Sequence, residues 1–269
     1  MIITDHFVYI HMPKTGGTFV EAALQRLYAS RRQRRFRTPG RAARRGVYID
    51  TSLKRDRRKI GGKDQHQTVS EIPAAYRHRP VVFTVRNPFD HWVSYYEFRW
   101  WKTHPGDTFD ESRIRSHYPH YPEISFDEYL RACYDWHLVG FPVALAKRLD
   151  ASGIGPLTYE YIRFLSGRPD AVLDEPRNFF VGPGTVRTPV ELRFLRQEAL
   201  NRDLYDFLVS VGHSSDAVRF ILDMGKVFPQ GAPRRKSSNW ESYYTPELRC
   251  LVRERESCLF SLLPHYLPE

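Results

Sequence analysis

Cysteine is scarce in this 269-residue chain: three thiols, Cys133, Cys250 and Cys258, at spacings that make neither a zinc motif nor a disulfide framework. That scarcity fits a reducing compartment. No Asn-x-Ser/Thr glycan acceptor occurs, and no apolar stretch approaches the ~18 residues a membrane span requires. Residues Met1 to Met12 lack the charged start, apolar run and small-residue cleavage site of a secretion signal. Self-similarity at the roughly 20–50-residue periods of solenoids and propellers is also missing. The expectation from these absences is a soluble, cytoplasmic protein with no membrane span.

What is present is enough for one sizeable core: 41% of residues are hydrophobic and 14% aromatic. A chain of this length buries about 70–75% of its unfolded surface, so one domain over residues 1–269 is expected, without metal or disulfide staples. The formal charge of +10 is unevenly spread. Residues 31–63 carry 14 basic side chains against Asp50 and Asp56, a local +12 that leaves −2 for everything else. Pro39, Gly40, Gly46, Gly61 and Gly62 punctuate that segment, which reads as a mobile basic insert. It either binds a polyanionic acceptor, closes as a lid, or is a solvated excursion. With only Phe36 and Tyr48 available for base stacking, nucleic acid is not the expected partner.

Two strand–turn–helix units stand out. Phe7-Val8-Tyr9-Ile10-His11 is a short buried-strand pattern that breaks at Met12-Pro13 and Gly16-Gly17, after which Phe19, Ala22, Ala23 and Leu27 recur at helical spacing with Glu21 in the first turn. Val81–Val85 repeats the strand pattern, Arg86-Asn87-Pro88 makes the turn, and Phe89 to about Arg99 reads as a helix. Further on, Ser125 caps a helix to about Trp136, Leu192–Leu195 reads as a strand before a helix from about Asn201 to Val211, and Thr245-Pro246 opens one amphipathic C-terminal helix. Such alternation favours an α/β fold, a parallel sheet flanked by helices on both faces.

The chemistry sits in the turns. In Pro13-Lys14-Thr15-Gly16-Gly17-Thr18, glycines at a strand-to-helix turn let backbone N–H groups converge on an anion, and the helix N-terminus favours negative charge. Lys14 adds a cation, and the Thr15 and Thr18 hydroxyls are donors for phosphate oxygens. The lysine precedes the glycines, unlike the nucleoside-triphosphate loop, where it follows them ahead of a Mg²⁺-binding hydroxyl. The second turn puts Arg86 at a strand's carboxyl end and Ser94 two turns into the next helix, in the crevice where open parallel sheets bind ligands. Together they imply a ligand with phosphates at two separated places.

In these residues the sequence resembles sulfotransferases that use 3′-phosphoadenosine 5′-phosphosulfate (PAPS). Pro-Lys-Thr-Gly-Gly-Thr is similar to their 5′-phosphosulfate loop, and Arg86-Asn-Pro with Ser94 is similar to their 3′-phosphate motif; the carbohydrate-type branch that includes heparan sulfate 2-O-sulfotransferase and bacterial relatives is nearest. Similar blocks extend through Gln65-His66-Gln67-Thr68, Glu71-Ile72-Pro73, Phe194–Glu198, Arg235-Lys236-Ser237-Ser238 and Tyr243–Leu248. The resemblance implies a P-loop-NTPase-like fold and metal-independent sulfuryl transfer to an acceptor hydroxyl, on a saccharide or glycosylated small molecule. Pro13 to Thr18 would hold the 5′-phosphosulfate, Arg86 and Ser94 the 3′-phosphate, and the Arg235-Lys236-Ser237 turn would close over the cofactor, leaving 3′,5′-phosphoadenosine (PAP) as product.

For catalysis, Lys14 is the candidate to neutralise charge on the leaving phosphate. His66, with an unperturbed pKa of about 6.5, is the candidate base; Asp64, Glu71 and His91 are alternatives. His117 and His120 have the spacing of a metal pair but no evident third ligand, so no metal is expected there. Eleven aromatics crowd residues 92–129 and either shape an acceptor pocket or stack into the core. Two other functions stay open on sequence alone: a P-loop kinase using ATP and Mg²⁺, and a non-catalytic polyanion-binding protein working through residues 31–63.

Overall fold

A computed structural model of the chain describes residues 1–29, 47–49, 66–188, 190–227 and 239–267. Seven strands occur among them: β1 (Ile2–Thr4), β2 (Val8–Ile10), β3 (Val47–Ile49), β4 (Val81–Val85), β5 (Phe180–Gly182), β6 (Thr185–Val186) and β7 (Leu192–Arg196). The chain groups into two compact units, Met1–Arg86 with Thr188–Gly231, and Asn87–Arg187 with Ala232–Glu269.

The first unit holds a five-stranded sheet in the order β3-β1-β2-β4-β7. β2, β4 and β7 run parallel, with Tyr9 opposite Val82 and Phe83 opposite Phe194. β1 and β3 extend the sheet antiparallel, so it is mixed rather than wholly parallel. β4 is buried along its full length, which its unbroken Val-Val-Phe-Thr-Val run requires of a central strand. β3 comes from the basic segment expected to be a mobile surface insert; the rest of 31–63 lies outside the described residues.

Helix α1 (Gly17–Ala29) lays Phe19, Val20, Ala23, Leu24 and Leu27 on the face formed by Tyr9, Val82 and Leu195, beside Leu204, Phe207 and Leu208 of the helix Leu200–Ser210. Burying each of the larger side chains is worth roughly 1.5–3 kcal/mol relative to exposure. Val8, Ile10, Val81, Phe83 and Val85 on the opposite face are buried as well. Because β2 and β4 are adjacent and parallel, the turns leaving their carboxyl ends emerge side by side. That is the geometric consequence on which the site depends.

The second unit is mainly helical. Helix α2 (Pro88–Phe98) starts with the Asn87 side chain accepting from the Phe89 N–H at 2.9 Å and with Pro88 at its first position. Its Trp92 packs among Tyr95, Tyr129 and Tyr134. Most of the aromatic run is core: Trp92, Trp101, Phe109, Tyr121, Phe126 and Tyr129 are buried, and Trp100 is exposed.

The expected single C-terminal helix is broken at Glu256 into Pro246–Arg255 and Ser257–Leu262. At the break the Glu256 carboxylate turns inward to the N-terminus of the helix Pro156–Leu165, where it accepts from Leu157 N, Thr158 N, Thr158 Oγ1 and the Tyr134 hydroxyl at 2.6–3.1 Å. A Cβ on Gly155 would run into that carboxylate, so only glycine leaves room for it.

Candidate active site

The turn between β2 and α1 is wound tightly. Lys14 has φ +60° and Gly16 φ +99°, two left-handed residues within three positions. For a lysine this conformation costs about 1–2 kcal/mol, so the surrounding structure must impose it. Part of the restraint is visible. Thr15 is fully buried, and its hydroxyl donates to the Met12 carbonyl at 3.0 Å. Since a hydroxyl has one proton, the 2.6 Å contact to Thr84 Oγ1 is donated by Thr84, which in turn accepts from Tyr9 at 3.4 Å. Burial raises the Tyr9 phenol far above its ordinary pKa, so it stays a donor. The chain Tyr9–Thr84–Thr15–Met12 ties the turn to strands β2 and β4. The expected phosphate-donating Thr15 hydroxyl is therefore engaged within the protein.

α1 begins at Gly17, one residue before the sequence suggested, so Glu21 lies beyond the first turn and no acidic side chain stands there. Its first N–H groups have no acceptor within the helix and carry the positive end of the dipole. Gly17 is required for a separate reason: a Cβ there would collide with the His11 ring. Thr18 is half-buried in the same first turn.

Arg86, at the end of β4, reaches across to this turn. Its Nη1 donates to the Lys14 carbonyl at 2.8 Å. Burial, and secondarily the Arg86 charge, lower the Lys14 ammonium to a pKa of about 8. The fold thus gathers two cations beside a helix N-terminus with no acid in its first turn, a combination suited to binding an anion.

His66 meets the same region. Its Nδ1 is 2.9 Å from the carbonyl oxygen of His11, the residue immediately after β2, and the two imidazoles pack edge to face at 5.0 Å. A carbonyl can only accept, so Nδ1 carries the proton, and in the neutral ring Nε2 is then the basic nitrogen. Of the alternative bases, Glu71 accepts from the Thr68 N–H at 2.8 Å in a capping box, and Asp64 is outside the described residues. His91 belongs to the second unit, buried and stacked on Tyr95.

The first unit therefore brings Pro13 to Thr18, Arg86 and His66 together. Ser94 lies half-buried on α2 in the second unit, and Arg235, Lys236 and Ser237 fall outside the described residues. Sequence reading missed His11, although His-x-Pro-Lys at the end of a strand put a ring-bearing donor and acceptor three residues before the lysine. His120 lies 3.1 Å from Glu128, and among the described residues no three His, Cys, Asp or Glu side chains are grouped to hold a metal. No helix among them is long and apolar enough to cross a membrane.

Comparison with known proteins adds little. The sequence matches no protein-family model, and no curated protein matches it. Among solved structures, the mouse sulfotransferase SULT7A1 complexed with PAP aligns over 93% of this chain and 84% of its own, at 13% identity and a TM-score of 0.40. A likeness that distant decides nothing about this chain, so the functional reading stands on the residues themselves.

Proposed function

We propose that this chain is a sulfotransferase that moves a sulfuryl group from PAPS to an acceptor hydroxyl on a saccharide or glycosylated small molecule. Beyond the motif resemblance, one observation carries the reading: Lys14 and Arg86, 72 residues apart in sequence, meet at the carboxyl ends of adjacent parallel strands, beside a helix N-terminus with no acid of its own.

These residues suit a polyphosphorylated nucleotide, since a bound anion favours the charged form that burial and Arg86 disfavour at Lys14. When bound, PAPS supplies a sulfuryl group already activated on a phosphate. Lys14, the backbone N–H groups of Thr15 to Thr18 and the Thr18 hydroxyl hold its 5′ end, with Pro13 shaping the approach. Arg86 takes the 3′-phosphate. Ser94 and the Arg235-Lys236-Ser237 segment join the set on the motif resemblance alone. Transfer is an in-line displacement, governed by positioning and charge stabilisation. Lys14 sets its ammonium against charge growing on the leaving oxygen, and His66 receives the acceptor hydroxyl proton at Nε2.

Thermal shift separates this from the rival readings. PAP added in chelator should raise the melting temperature by several degrees, the sign of ligand binding to the native state. ATP with Mg²⁺ stabilising more than PAP would move the assignment to a kinase. Indifference to both nucleotides, with stabilisation by heparin, would leave a polyanion-binding protein.

A further inference from the structure

His11 takes no part in the assignment above, yet it touches both of its halves. Its carbonyl holds the His66 Nδ1–H, its ring packs edge-on against the His66 ring, and the same ring occupies the space a Cβ on Gly17 would need, at the first residue of α1. It is 8% exposed, a histidine kept inside the protein at the point where β2 ends and the anion turn begins.

We propose that His11 is the positioning residue for the base: it fixes His66 in the Nδ1–H tautomer and registers that imidazole against the entry of α1. The inference rests on His66 being the base and adds what makes it competent. Free histidine favours the opposite tautomer, with the proton on Nε2, in which that nitrogen cannot accept a proton. A histidine's working nitrogen is set by the hydrogen bond its other nitrogen makes, and here that bond comes from a backbone carbonyl whose position is secured by a buried ring. The ring does not receive the substrate proton, which passes from the acceptor hydroxyl to His66 Nε2 as the new O–S bond forms and the bond to the leaving phosphate breaks. Because the same ring lies on Gly17, one side chain contacts both the base and the start of the anion turn.

The direct test is the nitrogen spectrum of the ¹⁵N-labelled full-length protein bound to PAP, with the His66 signals assigned by their loss in His66→Gln. Wild type should show a protonated Nδ1 and an unprotonated Nε2; a protonated Nε2 in neutral His66 overturns the proposal and needs no variant to fold. His11→Ala should turn the spectrum into a tautomer mixture while PAP affinity, measured by calorimetry, stays within about threefold. His11→Phe keeps the ring and the edge-to-face contact and should restore the wild-type tautomer; failure of that rescue counts against registration by the ring. The two readings fail separately. Full turnover in His66→Ala removes the base whatever the tautomer, whereas an inactive His66→Ala with an undisturbed spectrum in His11→Ala removes only the positioning role.

Discussion

Two helix N-termini in this protein are treated in opposite ways. The helix Pro156–Leu165 has its first N–H groups met by a carboxylate of the chain itself: Glu256 is fully buried, accepts four hydrogen bonds, and has a glycine at position 155 to make room. α1 has no acid in its first turn, a lysine held in the left-handed region just before it, and an arginine brought up behind that lysine. The first arrangement is internally complete and belongs to folding. The second sets two cations beside a helix start whose first turn carries no acid, the arrangement on which the proposed anion site rests. The same backbone feature is occupied in one case by a buried carboxylate of the chain and flanked in the other by cations.

The largest effect expected from breaking this contrast falls on the α1 side. Lys14→Ala should lower PAPS-to-PAP turnover in the presence of acceptor by about 10²–10³-fold while weakening PAP binding far less, because an interaction strongest in the transition state is lost. Equal losses in both would reduce Lys14 to a binding residue. The matching change in the second unit, Glu256→Ala, should leave four buried donors without an acceptor and cost about 3–5 kcal/mol, read as a lowered urea midpoint. If Glu256→Ala were as stable as wild type, the claim that this N-terminus is completed from within would fail.

The turns were legible in sequence because their chemistry is local. Pro13-Lys14-Thr15-Gly16-Gly17-Thr18 states its own glycine, cation and hydroxyl pattern, and strong apolar runs on either side fixed β2, β4 and the starts of α1 and α2 to within a residue or so. What could not be read depends on partners distant in sequence. The break at Glu256 is dictated by Thr158, 98 residues away, and within the sequence pattern Leu251, Val252, Leu259 and Leu262 look like one continuous stripe. The inward turn of the Thr15 hydroxyl depends on Thr84, 69 residues on. β1 and β3 went unread because, unlike the three-residue β2 with its flanking Phe7 and His11 and the glycine turn after it, neither is followed by a turn-and-helix pattern that marks it as a strand.

A smaller effect sharpens the description of the second unit. Glu160 is half-buried, and burial lifts its carboxyl to a pKa of about 7, opposed by the Tyr95 hydroxyl, which donates to the two oxygens at 2.8 and 3.0 Å. A carboxyl whose folded pKa exceeds its unfolded value of about 4.5 supports folding fully below that value, and loses its contribution as pH rises through about 7. Stability should therefore fall between about pH 4.5 and 7, by roughly 3 kcal/mol for the full shift and by about 2 kcal/mol once solvent screening of this half-buried group is counted. Glu160→Gln should flatten that part of the stability profile and leave the variant the more stable protein at pH 8. An unchanged slope would mean Glu160 titrates as if in water.

The smallest effect is also the most specific to the α1 cluster. With Lys14 at a pKa of about 8 in the free protein, the ammonium that meets the anion is present below that pH and lost above it. A bound phosphate raises the lysine again, so PAP binding should take up a proton near pH 8 and weaken by at most about tenfold for each further pH unit. Lys14→Arg keeps the charge at every accessible pH and should remove that slope, even if the longer guanidinium fits the turn less well and lowers affinity overall. Calorimetry in two buffers of different ionisation enthalpy counts the proton directly. No uptake at pH 8.5 in wild type, or an identical slope in Lys14→Arg, would place the titrating group elsewhere and separate Lys14 from the anion that the α1 arrangement calls for.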